Sequence, residues 1–386
     1  MVEFQPFTEE WLERPYPIYR ELREQDPVHW DEGLSHWVLT RYDDVVAVLK
    51  DNDHFSAANR PPQRRWNHPT MMVTADPPDH ARLRRPATHR FTAGAVNALR
   101  PRILEVVDEL FDEIEQRGDE FDAIWDFARQ LPRTIIAEMM GVPLEPRRVS
   151  PAVYPARERG AAPPKRTPEM DPVRPASDDF FAQALERHRS ELEDDLLQDL
   201  IAAESGGTMD AEEVLDTAII LYGAGQETTA NMVGNALLTL FRHPDELARL
   251  RAGSVDLDAA TDELLRFDAP VHTVRRKAIA DLEVDGHQIE AGQKVLCLIM
   301  AANHDPAVFD DPDGLQLDRE DNYHVAFGSG VHTCLGGLLA RAETRVAVGR
   351  LVERYPKMKL AVPEDEIRRS GSLVIRGVER LPLRLR

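Results

Sequence analysis

Several features of other protein classes are missing from this chain of 386 residues. It has only two cysteines, Cys297 and Cys334, so a disulfide framework is excluded and a reducing compartment is expected. We find no secretory signal pattern and no apolar run long enough to span a bilayer. A net charge of −21 argues against general nucleic-acid binding, because phosphate contacts need a basic surface. The sequence therefore predicts a cytoplasmic protein without membrane or nucleic-acid partners.

The remaining composition is that of a globular protein, with 42% hydrophobic and 30% charged residues. No stretch is typical of a linker between independent modules, so we predict one domain over residues 1–386. Within it we expect a small N-terminal sheet region at about 26–60 and a C-terminal strand pair at 373–385. Residues 143–175 contain nine prolines, and because proline blocks helix interiors, any helix there must be short, broken or absent.

The most informative stretch is a glycine-rich loop that ends at a cysteine, residues 326–337. Gly328 and Gly330 permit positive φ, and Cys334 precedes a predicted helix at 338–355. The unpaired N–H groups at a helix start favour a thiolate over a thiol. Taken alone, Cys334 would be a small buried hydrophobic residue, as most free cysteines are. A zinc site is a weaker alternative, because Cys297 lies far away in an apolar run.

Two further stretches carry polar side chains at helical spacing. His80 and Arg84 follow an Asp-Pro-Pro helix start and share one helical face, which is also the pattern of an exposed basic surface. Residues 210–242 predict a long helix that begins with a capping box of Asp210 and Glu213. Glycines and threonines in its middle predict a kink, although close helix packing would explain the glycines equally well.

Together these stretches resemble the cytochrome P-450 monooxygenases. The pattern Phe-Gly-x-Gly-x-His-x-Cys-x-Gly, complete from Phe327 to Gly336, resembles the haem-thiolate loop of soluble bacterial members. The resemblance implies a mainly α fold with small β-sheets (α+β), in which a long kinked helix crosses a haem b. It also implies that Cys334 binds the iron and that Phe327, Gly328 and His332 belong to the haem site.

The same resemblance implies roles for residues outside the loop. His80 and Arg84 would bind one haem propionate, and Arg276, in an Arg-x-Ala pattern, would bind the second. Glu227 and Thr228 match the acid–alcohol pair that delivers protons to dioxygen in this family. Glu263, Arg266 and Arg319 resemble its structural Glu-x-x-Arg cluster. By position relative to these motifs, we expect four residues to face the substrate: Ala224, His272, Val274 and Ile375.

These roles predict a monooxygenase that takes two electrons from a ferredoxin and its reductase. It would hydroxylate, dealkylate or epoxidise a small organic substrate, in secondary metabolism or catabolism. A peroxide-driven haem-thiolate enzyme and a non-catalytic haem sensor or carrier are alternatives, and Glu227 with Thr228 disfavours both. The proline-rich residues 143–175 would form a mobile lid over the substrate pocket, since the family roofs its pocket there.

A basic stretch suggests where the ferredoxin docks. Residues 80–102 contain six arginines and no acidic residue, although the whole chain has 68 acidic residues. Ferredoxins are generally acidic, so a local basic patch would steer docking to an otherwise repulsive surface. We therefore expect Arg82, Arg85 and Arg90 to form part of the ferredoxin site. The alternative is that these arginines lie on an ordinary solvated helix face without a partner protein.

Overall fold

The computed structural model describes residues 4–58, 71–144 and 173–386. The predicted lid at 143–175 therefore lies, except for its ends, outside the described residues. Helices dominate the described part of the chain. The α-helices are α1 (Glu9–Glu13), α2 (Pro15–Gln25), α3 (Tyr42–Lys50), α4 (Asp79–Thr88), α5 (Ala93–Arg117), α6 (Gln130–Met139), α7 (Val173–Ser190), α8 (Leu196–Ser205), α9 (Ala211–Arg242), α10 (Pro244–Arg251), α11 (Leu257–Asp268), α12 (Ile299–Ala302) and α13 (Gly337–Arg354).

The strands are short and form four small sheets within the described ranges. They are β1 (Val28–Asp31), β2 (His36–Leu39), β3 (Phe55–Ser56), β4 (Glu120–Asp122), β5 (Thr273–Ala278), β6 (Leu282–Val284), β7 (His287–Ile289), β8 (Lys294–Leu298), β9 (Lys359–Leu360), β10 (Arg369–Gly371), β11 (Arg376–Val378) and β12 (Pro382–Arg384). The largest sheet has the order β1-β2-β8-β5-β3, with β2 and β8 parallel and the other pairs antiparallel. It joins the N-terminal strands to strands more than two hundred residues later.

Helix α9 forms the axis of the molecule, and its sequence explains its start and its length. The Asp210 carboxylate accepts the Glu213 N–H at 2.8 Å, and the Glu213 carboxylate accepts the Asp210 N–H at 2.9 Å. This is the predicted capping box, which satisfies two otherwise unpaired N–H groups. The helix then continues without interruption to Arg242. Helices α6 and α13 pack against it, α5 packs against both of them, and together they enclose much of the main hydrophobic core.

A second, smaller core lies under the five-stranded sheet. Buried side chains of α3 and α12, such as Leu49 and Ile299, pack there against strand residues including Leu39 and Val295. The predicted fold class, mainly α with small β-sheets, is confirmed. In the described ranges, no helix has both the length and the apolar surface that crossing a membrane requires.

A buried ionic cluster fixes the segments that lead to the cysteine loop. The Glu263 and Arg266 side chains are fully buried, and Arg266 donates to both Glu263 oxygens, at 2.7 and 2.8 Å. Arg319 Nε donates to the same carboxylate at 3.0 Å. Arg266 also donates to the Asn303 carbonyl at 2.8 Å, and the Asn303 side chain accepts the Val325 N–H at 2.8 Å. These contacts extend from α11 to the residue before the loop.

Candidate active site

The cysteine loop is held in a conformation that only glycine permits at one position. Gly330 has φ of +74°, and a Cβ atom there would lie 2.5 Å from the Leu49 carbonyl oxygen at the end of α3. The loop then turns back, and the Cys334 N–H donates to the Phe327 carbonyl at 2.9 Å. This bond sets Phe327 beside the cysteine. The loop therefore presents Cys334 at a fixed place just before α13.

The Cys334 side chain is accessible to water, although protein surrounds most of the sulfur. Burial raises the pKa of this thiol, while the Gly336 N–H and the charge of Arg84 lower it. Burial therefore opposes the thiolate that the helix start is expected to favour, whereas the Gly336 N–H and Arg84 support it. Helix α13 begins only at Gly337, beyond the sulfur. A metal ion would reverse this balance, because a coordinating thiol loses its proton.

Four other predicted residues lie together beside the cysteine. The His80 and His332 ring centroids are 4.1 Å apart, so α4 and the loop meet here. Burial lowers the pKa of His332 to about 3, with the charges of Arg276, His80 and Arg84 acting in the same direction. Arg84 also acts on the Cys334 thiol. Residues that are far apart in the sequence thus form one cationic site around the sulfur.

This cationic site fits a ligand that carries carboxylates. Neither Arg84 nor Arg276 forms an ion pair with a carboxylate in the described ranges, and burial lowers the pKa of both guanidiniums. The buried Nε2 of His332 has no hydrogen-bond partner there either. Haem b would bring two propionates to these donors and an iron atom to Cys334. The donor set therefore fits haem, and arginine suits a carboxylate particularly well.

The acid–alcohol pair lies in the middle of α9. The Thr228 hydroxyl donates to the Ala224 carbonyl at 2.8 Å, a contact that often bends a helix. The Glu227 side chain is half-buried, and burial raises the pKa of its carboxyl group. The positive charge of Arg129 opposes that rise. Glu227 therefore holds its proton more readily than an exposed glutamate, a property that suits proton transfer.

Three of the four predicted substrate contacts are open to solvent or to an internal space. Ala224 is exposed, and Val274 and Ile375 are half-buried. His272 is different, since 0% of its surface is exposed and its Nδ1 lies 3.0 Å from the Tyr19 hydroxyl. Its ring is also in edge contact with Trp11. The prediction for His272 is wrong, because the aromatic side chains of α1 and α2 enclose the ring.

The predicted basic surface for ferredoxin also needs correction. Arg82 forms a bidentate pair with Glu213, with distances of 2.9 and 2.8 Å, and Arg90 Nε donates to Asp199 at 2.6 Å. These contacts tie α4 and the segment after it to α8 and α9, so both charges are neutralised within the molecule. Arg85 is exposed and forms no ion pair with the described residues. The three arginines therefore do not form one open basic patch.

Sequence analysis overlooked Arg129 as a neighbour of Glu227. Between β4 and α6 the chain forms a π-helix, Ala123–Ala128. The Arg129 N–H donates to the Ile124 carbonyl at 3.0 Å, which closes the wider π turn. No residue pattern in this stretch distinguishes a π turn from an α turn, so the sequence carried no signal for this placement.

Comparisons with known proteins bear on this site. A family model described as Cytochrome P450 matches residues 163–254 and 257–376. The chain is 38% identical over 385 residues to Cytochrome P450-SU2 of Streptomyces griseolus, covering 96% of this chain and 93% of that protein. It is 36% identical over 397 residues to the Vitamin D(3) 25-hydroxylase of Pseudonocardia autotrophica, covering 98% and 95%. Among solved structures, CYP109E1 from Bacillus megaterium in complex with testosterone is similar, with a TM-score of 0.88, 30% identity and coverage of 98% and 99%.

Proposed function

Because the chain belongs to the cytochrome P450 family and is a monooxygenase that binds haem b through a cysteine thiolate, we propose that it oxidises a small organic substrate with electrons from a ferredoxin and its reductase. One observation carries this proposal. Cys334 lies beside two arginines and two histidines, and the arginines have no carboxylate partner in the described part of the chain. That is the arrangement a thiolate-bound haem requires.

We assign the holding of the haem to residues on three segments. Cys334 would bind the iron. The Gly336 N–H, which lowers the pKa of Cys334, would stabilise the coordinating thiolate. His80 and Arg84 would hold one propionate, and Arg276 the other. When bound, the haem supplies dioxygen activation, and a thiolate ligand favours cleavage of the O–O bond.

Proton delivery is assigned to α9. Glu227 would take protons from water, because its half-buried carboxyl group accepts a proton more readily than an exposed one. The Thr228 hydroxyl can both donate and accept, so it can pass a proton inward when it leaves the Ala224 carbonyl. This pair supports a dioxygen-dependent reaction over a peroxide-driven one, since peroxide already carries the protons and electrons.

The residues that are predicted to face the substrate and are at least partly exposed favour an apolar substrate. Ala224, Val274 and Ile375 have no polar side-chain atoms, and His272 is enclosed elsewhere. Two similar proteins are named for a vitamin D(3) hydroxylation and for a testosterone complex, both large apolar molecules. We propose a bulky apolar substrate that shape, rather than a hydrogen bond from these residues, orients. Hydroxylation, dealkylation and epoxidation are all compatible with these residues.

The redox partner is proposed to dock on the cysteine side of the molecule. Arg85 follows Arg84 on α4 and keeps an exposed charge. Val331 and Leu338, which flank Cys334 in the sequence, are 40% and 41% exposed. An exposed cation on α4 and two exposed apolar side chains around the cysteine suit an acidic partner that also buries apolar surface. Arg82 and Arg90 would stabilise the fold instead.

The test uses the haem-loaded protein with a ferredoxin, its reductase and a set of bulky apolar compounds. Binding is first measured as a low-to-high-spin shift of the haem absorption. Compounds that bind are then turned over in ¹⁸O₂, and one labelled oxygen atom per hydroxylated product is expected. Equal turnover with peroxide alone would instead indicate a peroxide-driven enzyme. Spin shifts without any product from either oxidant would indicate a carrier.

A further inference from the structure

Arg129 is a half-buried cation without an ion-pair partner among the described residues. Its guanidinium lies 4.1 Å from the centre of the Trp125 ring, within the range of a cation–π contact. Trp125 is 50% exposed, and its indole N–H donates to the Glu379 carbonyl at 3.2 Å. The ring is therefore fixed at the surface as a support for the guanidinium. None of the carboxylates in the described ranges forms an ion pair with Arg129 at this place.

The π-helix that precedes Arg129 packs against α9. The Arg129 N–H bonds to the Ile124 carbonyl five residues earlier, so Arg129 lies one π turn above Ile124. Ile124 packs against α9 at Gly234, where a Cβ atom would lie 2.4 Å from Ile124 Cδ1. Glu227 precedes Gly234 by seven residues, which is about two turns or roughly 10 Å along the same helix face. Ile124 thus packs on the side of α9 that carries Glu227, and Arg129 follows one π turn later.

Among the described charged groups of this region, Arg129 and Glu227 are left to interact with each other. Arg129 is the only charged group that acts on the pKa of Glu227 within the described ranges, and it lowers the value that burial raises. Arg129 in turn is acted on by Glu227 and, more weakly, by Asp122. Asp122 is already paired with Arg380 at 2.8 Å. The neighbouring carboxylate, Asp126, is paired with Arg117 at 2.8 Å.

We propose that Arg129 is a positioning residue for proton delivery: resting on Trp125, it holds the Glu227 carboxylate ionised at the water-facing end of the path to Thr228. The proposal rests on the proposed function. The carboxylate takes a proton from water and passes it to the Thr228 hydroxyl, which releases its own proton inward; this transfer returns Glu227 to the ionised state that Arg129 favours. Trp125 keeps the guanidinium at the surface, so that Arg129 does not close the path.

The test compares Arg129→Gln with the parent protein. Removing the cation raises the pKa of Glu227, so the acidic limb of the kcat–pH profile should move to higher pH by roughly 0.5–1 unit for a charge pair near the surface. The same shift should occur in the carboxyl infrared band that Glu227→Gln abolishes, titrated in the resting protein without turnover. In the Glu227→Gln background, which lacks this band, Arg129→Gln should not shift the kcat–pH profile further.

Matched variants separate charge from packing. Arg129→Lys should keep the parent titration, and Trp125→Phe should keep it better than Trp125→Leu. Arg117→Gln removes a nearby exposed cation that is paired with Asp126, and it should leave the profile unchanged. An infrared titration of Glu227 that is the same with and without Arg129 would overturn the inference. A parent protein that makes no product would refute the proposed function instead, while the infrared shift would still support the Arg129–Glu227 coupling.

Discussion

Replacing Glu263 by glutamine tests the ionic cluster behind the cysteine loop. The Glu263 side chain is 0% exposed and accepts hydrogen bonds from Arg266, Arg319, the Gln316 N–H and Asn322. Glutamine is neutral and has a single acceptor oxygen, so the variant leaves Arg266 buried without a counter-charge. Breaking a buried ion pair in this way costs about 3–5 kcal/mol.

The expected fall in melting temperature follows from the chain length. An unfolding entropy of roughly 2.1 cal/mol/K per residue gives about 0.8 kcal/mol/K for this chain, so Glu263→Gln should melt about 4–6 °C lower. The matched control is Glu353→Gln, because Glu353 pairs with Arg350 at 2.9 Å but is 71% exposed. An exposed pair contributes about 0–1 kcal/mol, so this control should melt within about 1 °C of the parent.

Haem retention provides a second measurement on the same variants. Arg266 binds the Asn303 carbonyl, and Asn303 holds Val325 just before the loop, so Glu263→Gln should also retain less haem after gel filtration. Calorimetry and the haem-to-protein absorbance ratio check the two effects. If Glu263→Gln has the same melting temperature as the Glu353→Gln control and retains its full haem content, the cluster does not support the loop and the reasoning is refuted.

Three further changes test other parts of the site. Burial raises the pKa of Glu343 to about 8, well above the unfolded value of about 4.3, so its neutral form stabilises the fold at low pH and this contribution is lost as pH rises towards 8. The melting temperature of Glu343→Gln should therefore rise relative to that of the parent between pH 5 and pH 8. A difference in melting temperature that stays constant over this range would contradict this. Thr228→Ala should keep haem and substrate binding but release more peroxide per electron pair, whereas unchanged coupling would leave Thr228 a packing role. Gly330→Ala places a Cβ atom 2.5 Å from the Leu49 carbonyl at φ of +74°, so it should melt at least about 2–3 °C lower; an unaltered melt would show that α3 can move aside.

Local signals in the sequence predicted much of the fold. The capping box of Asp210 and Glu213 marks the start of α9, because it depends on residues three apart. Pairing between distant strands carried no such signal. The predicted strand pair at 373–385 is wrong, since β11 pairs with β10 and β12 lies between β4 and β9. Strand register there depends on partners from other parts of the chain.

The sequence identified the charged residues but not their partners. Cys334 was predicted from one continuous motif and His80 and Arg84 from another, and the structure brings these residues together. Arg82 was predicted to face a ferredoxin, yet it pairs with Glu213, which also caps α9. That pairing joins residues 131 positions apart, and nothing in the basic stretch indicates it. Side-chain partners across the fold required the structure.

The most direct test of the account is the carbon monoxide spectrum of the reduced, haem-loaded protein. If Cys334 binds the iron as a thiolate, the parent should show the red-shifted absorption band of a thiolate-bound ferrous haem. Cys334→Ala should lose that band, while Cys297→Ala should keep it, because Cys297 is fully buried in β8, between β2 and β5. A parent protein that binds haem without this band, or a Cys334→Ala variant that retains it, would contradict the central claim.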